Sequence, residues 1–94
     1  MSAADSVDAL IGLYLDVLRV ERGLSENTIA AYARDLSRLA AWCDSRSLVE
    51  ASDIDRASLE EFVLHLYEQE LSPRSVARNI SSVRGFLRFL VVDG

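Results

Sequence analysis

Four arginines, Arg74, Arg78, Arg84 and Arg88, fall within Pro73–Val92, a stretch without a single acid. Its charge of +4 contrasts with −9 over the rest of the chain, where six arginines stand against fifteen acids; together these give the net charge of −5. An arginine side chain offers a rigid fork of N–H donors that matches phosphate or carboxylate. A basic helix kept clean in an acidic chain therefore has two readings. Either it is presented to a nucleic-acid backbone, or it is the solvated polar face of a core helix. A second pair, Arg34 and Arg38, is spaced four apart among the small residues Ala30, Ala31 and Ala41. Side chains at that spacing share a helix face, and small neighbours let another surface come close. The competing reading is an exposed alanine-rich face of high helix propensity.

The remaining reactive side chains do not assemble into a catalytic site. Tyr14 and Tyr32 sit on apolar stripes and Tyr67 borders one, which suits packing residues with their hydroxyls at the rim. His65 has no serine, cysteine or second histidine within helical reach, so no nucleophile–base pair can be built on it. Cys43 is the single cysteine, which excludes an intramolecular disulfide and, with one histidine, a zinc site. It reads as a small buried hydrophobe. Glu60 and Glu61 are adjacent and diverge on a helix. There is no glycine-rich phosphate loop, and neither a metal nor a cofactor is expected.

Ninety-four residues, half of them hydrophobic, suit one small domain spanning residues 1–94. No signal peptide or membrane-length apolar run is evident, so a soluble cytoplasmic domain without membrane contact is expected. Apolar residues recur at three- and four-residue spacing in four segments, predicting an all-α fold with helices over 6–22, 26–44, 56–70 and 73–92. Gly23 fits the left-handed position after the first helix. Ser25 caps the second, Asp55 the third and Ser72 the fourth, where Pro73 takes the first helical position. Ser45–Asp53 reads as a loop and Met1–Ala4 as a frayed start. Leu10, Tyr14, Ile29, Leu36, Phe62, Leu66, Val76, Ile80, Val83 and Leu87 are the predicted core. Glu60, Glu61 and Glu68 place the third helix on the side away from any nucleic acid. Phe89 and Leu64 project off the core stripes. Gly85 shares the outer face of Arg74 and Arg78, either for close backbone approach to a partner or as a tolerated exposed glycine.

Leu24–Trp42 (LSENTIAAYARDLSRLAAW) resembles one signature of the N-terminal, core-binding (SAM-like) domain of tyrosine recombinases of the phage integrase family, Xer-type enzymes in particular. Ser72–Leu90 (SPRSVARNISSVRGFLRFL) resembles the second signature, and Asp53–Phe62 (DIDRASLEEF) fits the interval between them. The resemblance covers about Leu10 to Leu90. It implies a compact four-helix SAM-like bundle of two crossed helical hairpins. In such enzymes this domain and a catalytic domain clamp the duplex, with the second and fourth helices facing the DNA, and the protomers assemble as tetramers. The catalytic arginines and tyrosine belong to the other domain, so this chain is expected to be a non-catalytic fragment, with Asp93–Gly94 at the start of the interdomain linker. Gly85 stands where the family often has a basic or polar residue, and the chain is more acidic than expected of a DNA clamp.

The partners implied are double-stranded DNA, the chain's own catalytic domain and other recombinase protomers. The DNA-facing residues are then expected to be Arg34 and Arg38 on the second helix and Arg74 and Arg78 on the fourth, with Arg88 at the margin. Thr28, Ser75, Ser81 and Ser82 add hydroxyls for phosphates. Arg78, near the middle of the outer face, is the candidate to reach a base edge. Phe89 is the candidate contact to the catalytic domain or a neighbouring protomer. The alternative is a SAM-like protein-interaction module whose arginine face binds an acidic partner.

Overall fold

The computed structural model describes residues 6–92; Met1–Ala4 and Asp93–Gly94 lie outside them. Four helices follow one another: α1 (Val7–Val20), α2 (Glu26–Ser45), α3 (Arg56–Glu68) and α4 (Pro73–Val92). The fold is all-α, as expected, and each helix end lies within two residues of its expected position. Local chemistry explains that agreement. Ser25 Oγ accepts the Thr28 amide at 3.2 Å, Asp55 Oδ1 the Ser58 amide at 2.8 Å and Ser72 Oγ the Ser75 amide at 3.1 Å. Each cap satisfies an N–H that the helix itself leaves without a partner. Ser6 does the same for α1 through Ala9. Gly23, at φ +60°, turns the chain after α1 in the left-handed region that favours glycine.

The loop before α3 is more ordered than its composition suggests. Ala51–Asp53 forms one 3-10 turn, closed by reciprocal contacts between Glu50 and Asp53. The segment reaches back to the start of α1, where the Val7 amide donates to the Val49 carbonyl at 3.0 Å.

The domain measures 34 × 34 × 19 Å. A 20-residue helix is about 30 Å long and about 10 Å thick. A parallel bundle of four would be long in one direction and narrow in two. The square outline, two helices deep, instead fits two helical hairpins, α1–α2 and α3–α4, laid across each other. The core joins Ile11, Tyr14 and Leu18 of α1 to Leu36, Leu39 and Trp42 of α2, Phe62 and Leu66 of α3, and Val76, Val83 and Phe86 of α4. Trp42 meets Phe62 with ring centroids 5.4 Å apart.

α4 buries more of its circumference than its apolar spacing indicates. Val83 is buried and Ile80 and Leu87 are half-buried, but Asn79, Ser82, Phe86 and Phe89 are buried as well. Phe89 is only 8 % exposed, its ring 5.2 Å from that of Tyr14. It therefore cannot serve as the free contact to another domain expected from the sequence; it is a core residue between α4 and α1. Leu64 does project outward. Gly85 likewise faces α1 and not an external partner. A Cβ built there would lie 2.6 Å from Tyr14 Oη.

This contact makes a prediction. Gly→Ala inside a helix ordinarily stabilises by about 1 kcal/mol. Tyr14 is packed between Phe86 and Phe89 and cannot swing aside, so Gly85→Ala is expected to lower the melting temperature. In a Tyr14→Phe background, which removes the clashing hydroxyl, the same substitution should become stabilising. Thermal denaturation of the four proteins checks this.

Candidate functional site

α2 and α4 pack side by side, and a buried acid fixes how. Asp35 is 1 % exposed. Its Oδ1 accepts from Arg78 Nη2 at 2.9 Å, and its Oδ2 accepts from Arg78 Nε at 3.0 Å and from Ser82 Oγ at 2.8 Å. The pairing is the side-on fork that arginine and carboxylate form best. The hydrogen bond to Asp35, and then its charge, raise the pKa of Arg78, so the guanidinium is held charged. The Arg78 side chain stays 42 % exposed. Its Nε–Nη2 edge is committed to Asp35, while Nη1 and the second Nη2 hydrogen remain available outward.

The other expected residues divide around this cluster. Arg34 and Arg74 are exposed and Arg38 is half-buried. Among the described residues none of these three enters an ion pair, whereas Arg19, Arg46 and Arg56 pair with Glu26, Glu61 and Glu60. Ser81 is exposed. Ser82 is buried against Asp35 and supports the packing, which removes it from any surface contact. Thr28 and Ser75 occupy equivalent places in the first turns of α2 and α4. Each hydroxyl accepts from the capping serine, Ser25 or Ser72, at 3.0 and 3.1 Å. Arg88, expected at the margin of the surface, is exposed near the far end of α4. It lies fourteen residues beyond Arg74, about 21 Å along the helix axis, and its charge, with that of Arg22, is felt at Tyr14 of α1.

Sequence reading missed Asp35. The signal was its spacing: Asp35, Leu39 and Trp42 form one stripe of α2, and all three are buried. It also placed α3 on the far side from the arginines. The structure shows a cleft of about 700 Å³ between α2 and the end of α3, bounded by Arg34 and Arg38 on one wall and His65 and Gln69 on the other.

The reactive groups remain scattered. Tyr14 is buried and its pKa is raised, chiefly by desolvation. The Cys43 thiol is buried and pushed up to about 11, by desolvation and then by Asp8. The His65 ring stacks on Phe62 at 6.2 Å. Among the described residues no group of acids, histidine and cysteine is arranged to hold a metal, and no helix is long and apolar enough to cross a membrane.

Known proteins were compared with this chain. The profile of the phage integrase N-terminal SAM-like domain matches residues 11–94. The tyrosine recombinase XerD of Listeria monocytogenes is 42 % identical over 86 residues, 90 % of this chain and 29 % of that protein. The tyrosine recombinase XerC of Xylella fastidiosa is 39 % identical over 85 residues, again 90 % of this chain and 29 % of the relative. XerC of Pseudomonas syringae is 38 % identical over 88 residues, 94 % and 29 % respectively. The chain thus spans under a third of the length of these relatives. No solved structure gives a significant match.

Two outcomes are expected from the site geometry. Arg78→Ala strands the Asp35 carboxylate in the core and should cost about 3–5 kcal/mol, while Asp35→Ala leaves an arginine able to turn to water and should cost about 1–3 kcal/mol. The double variant should be more stable than Arg78→Ala alone, which urea denaturation would show as a negative coupling. Separately, Cys43 should resist a thiol reagent at pH 8 in the folded protein and react rapidly in denaturant, because the thiolate is the reacting form.

Proposed function

Because the chain belongs to the phage integrase N-terminal SAM-like domain family, we propose that it is the DNA-binding, core-binding domain of a site-specific tyrosine recombinase. In this reading it grips one side of a duplex half-site through α2 and α4 during DNA recombination and integration. The observation that carries it is that Arg34, Arg38 and Arg74, which meet no acid among the described residues, stand on the two helices that Asp35 and Arg78 lock together, near that ion pair in the chain. Three phosphates accept from those three arginines. Such contacts position the protein on the backbone and carry no base information. Arg78 keeps a second donor edge toward solvent, and that edge reaches a phosphate or a base. Its charge is largely answered by Asp35, so it contributes direction more than counterion release. Ser81, Thr28 and Ser75 add hydroxyls at the margin of the contact.

The chain itself carries no catalytic step in this proposal, since its tyrosines and Cys43 have no base beside them. The catalytic residues belong to the remainder of a longer recombinase, whose protomers assemble on DNA as a tetramer. The similarity to the tyrosine recombinases XerD and XerC supports this assignment.

The test is binding of the chain to a labelled duplex across a salt series. With three phosphates neutralised, log K should fall against log[salt] with a slope of about −2.7, not the −3.6 or so that four free arginines would give. The acidic remainder should hold affinity near the non-specific range of about 10⁻⁴–10⁻⁶ M. Arg74→Ala should reduce the slope by about 0.9 without unfolding the domain. If Arg34→Ala, Arg38→Ala and Arg74→Ala all leave affinity and slope untouched, the arginine face belongs to a protein-interaction module for an acidic partner.

A further inference from the structure

We infer that the cleft between α2 and the C-terminal end of α3 is a phosphate site, and that the backbone phosphate of the bound duplex assigned above to Arg38 lies in it, with the phosphate of Arg34 next to it at the rim. This deepens the DNA-binding reading and rests on it. Two observations lead there. The first is the lining. Arg34, Ser37 and Arg38 on α2 face His65 and Gln69 on α3 across an open space of about 700 Å³, and no carboxylate lines it. Guanidinium, hydroxyl and amide groups meeting from two helices suit an anion with several acceptor oxygens. A planar carboxylate would use one fork and leave the opposite wall without a partner.

The second observation is Arg38 itself. Its Nε is fully buried, and among the described residues it meets no acceptor. A buried charged donor without an acceptor is costly, and folded proteins rarely keep one. Here the group sits beside a cleft that opens to solvent and carries a second guanidinium, that of Arg34. A small turn of the Arg38 side chain brings that Nε–H to the cleft, where an anion entering from outside supplies the acceptor that the fold omits. Phe62 fixes the His65 ring from behind at 6.2 Å, so the α3 wall is held in place.

The location selects a polymer phosphate over a free one. Arg34 and Arg38 flank Asp35 in the chain, and Asp35 holds Arg78 of α4. A backbone following the α2–α4 surface thus passes the mouth of the cleft. The acids of α3 nearest this wall are answered: Glu61, one turn before His65, is held by Arg46, and Glu60 by Arg56.

The experiment uses the whole chain, isotopically labelled, with a 16-base-pair duplex and with inorganic phosphate as separate probes. The Arg38 Nε–H resonance should move on adding duplex. Gln69→Glu and Ser37→Glu, both at exposed positions, place a carboxylate in the cleft. Each should weaken duplex binding about tenfold at unchanged melting temperature. If Arg74→Ala weakens binding while Gln69→Glu and Ser37→Glu do not, this inference is wrong and the DNA-binding reading stands. If no variant matters, or no duplex binds, that reading itself fails. If inorganic phosphate moves Arg38 Nε–H and the duplex neither moves it nor competes, the cleft takes a free anion and the backbone assignment is overturned.

Discussion

A carboxylate in the core, that of Asp35, sets how α2 lies against α4. Removing such a group from water costs several kcal/mol, offset only by good geometry and full hydrogen bonding. Arg78 and Ser82 supply both. Apolar side chains would let the two helices slide by a fraction of a turn with little change in buried area. A forked ion pair allows no such drift, since a small displacement leaves a buried oxygen without its donor. The two helices so fixed carry Arg34 and Arg38, near Asp35 in α2, and Arg74, one turn before Arg78 in α4. One interaction inside the protein thereby holds together the helices that bear these charges.

The net charge of the chain conceals this arrangement. Arg19, Arg46 and Arg56 are matched by acids close at hand. Exposed pairs of this kind contribute little to stability. Their effect is to reduce the free positive charge: among the described residues Arg19, Arg46, Arg56 and Arg78 are answered by acids, and Arg34, Arg38 and Arg74, with Arg22, Arg84 and Arg88, are not. An overall charge of −5 is therefore compatible with a local basic surface, because α4 carries no acid and the acids of the described residues are spread over α1, α3, the loops and, on α2, its two ends at Glu26 and Asp44 besides the buried Asp35.

The helices were legible because their ends are written in local chemistry: Ser25, Asp55 and Ser72 cap, Gly23 turns and Pro73 starts. The faces were less legible. α4 packs on more than one neighbour, so the centre of its apolar stripe points between them, and Phe86, Phe89 and Ser82 fall outside a single-face reading. Asp35 escapes a sequence reading because an acid at a core position is intelligible only with its partner, which lies 43 residues away. Gly85 resembled an open surface position until the phenol of Tyr14 was seen above it. In each case the missing information was the identity of the neighbouring helix.

The order in which a ribosome delivers this chain gives Asp35 another significance. α1 and α2 emerge first, and their apolar faces can meet at once. Yet the amide of Val7 gains its acceptor only when Val49 arrives, and the acid at position 35 gains its partner only when residue 78 does. Until then a closed α1–α2 hairpin would have to leave that carboxylate in contact with water. The nascent domain thus stays loosely packed until its last helix arrives, and the stretch that completes the fold is the same one that presents the arginines of α4. A chain halted before α4 would lack a sealed core and a basic surface together.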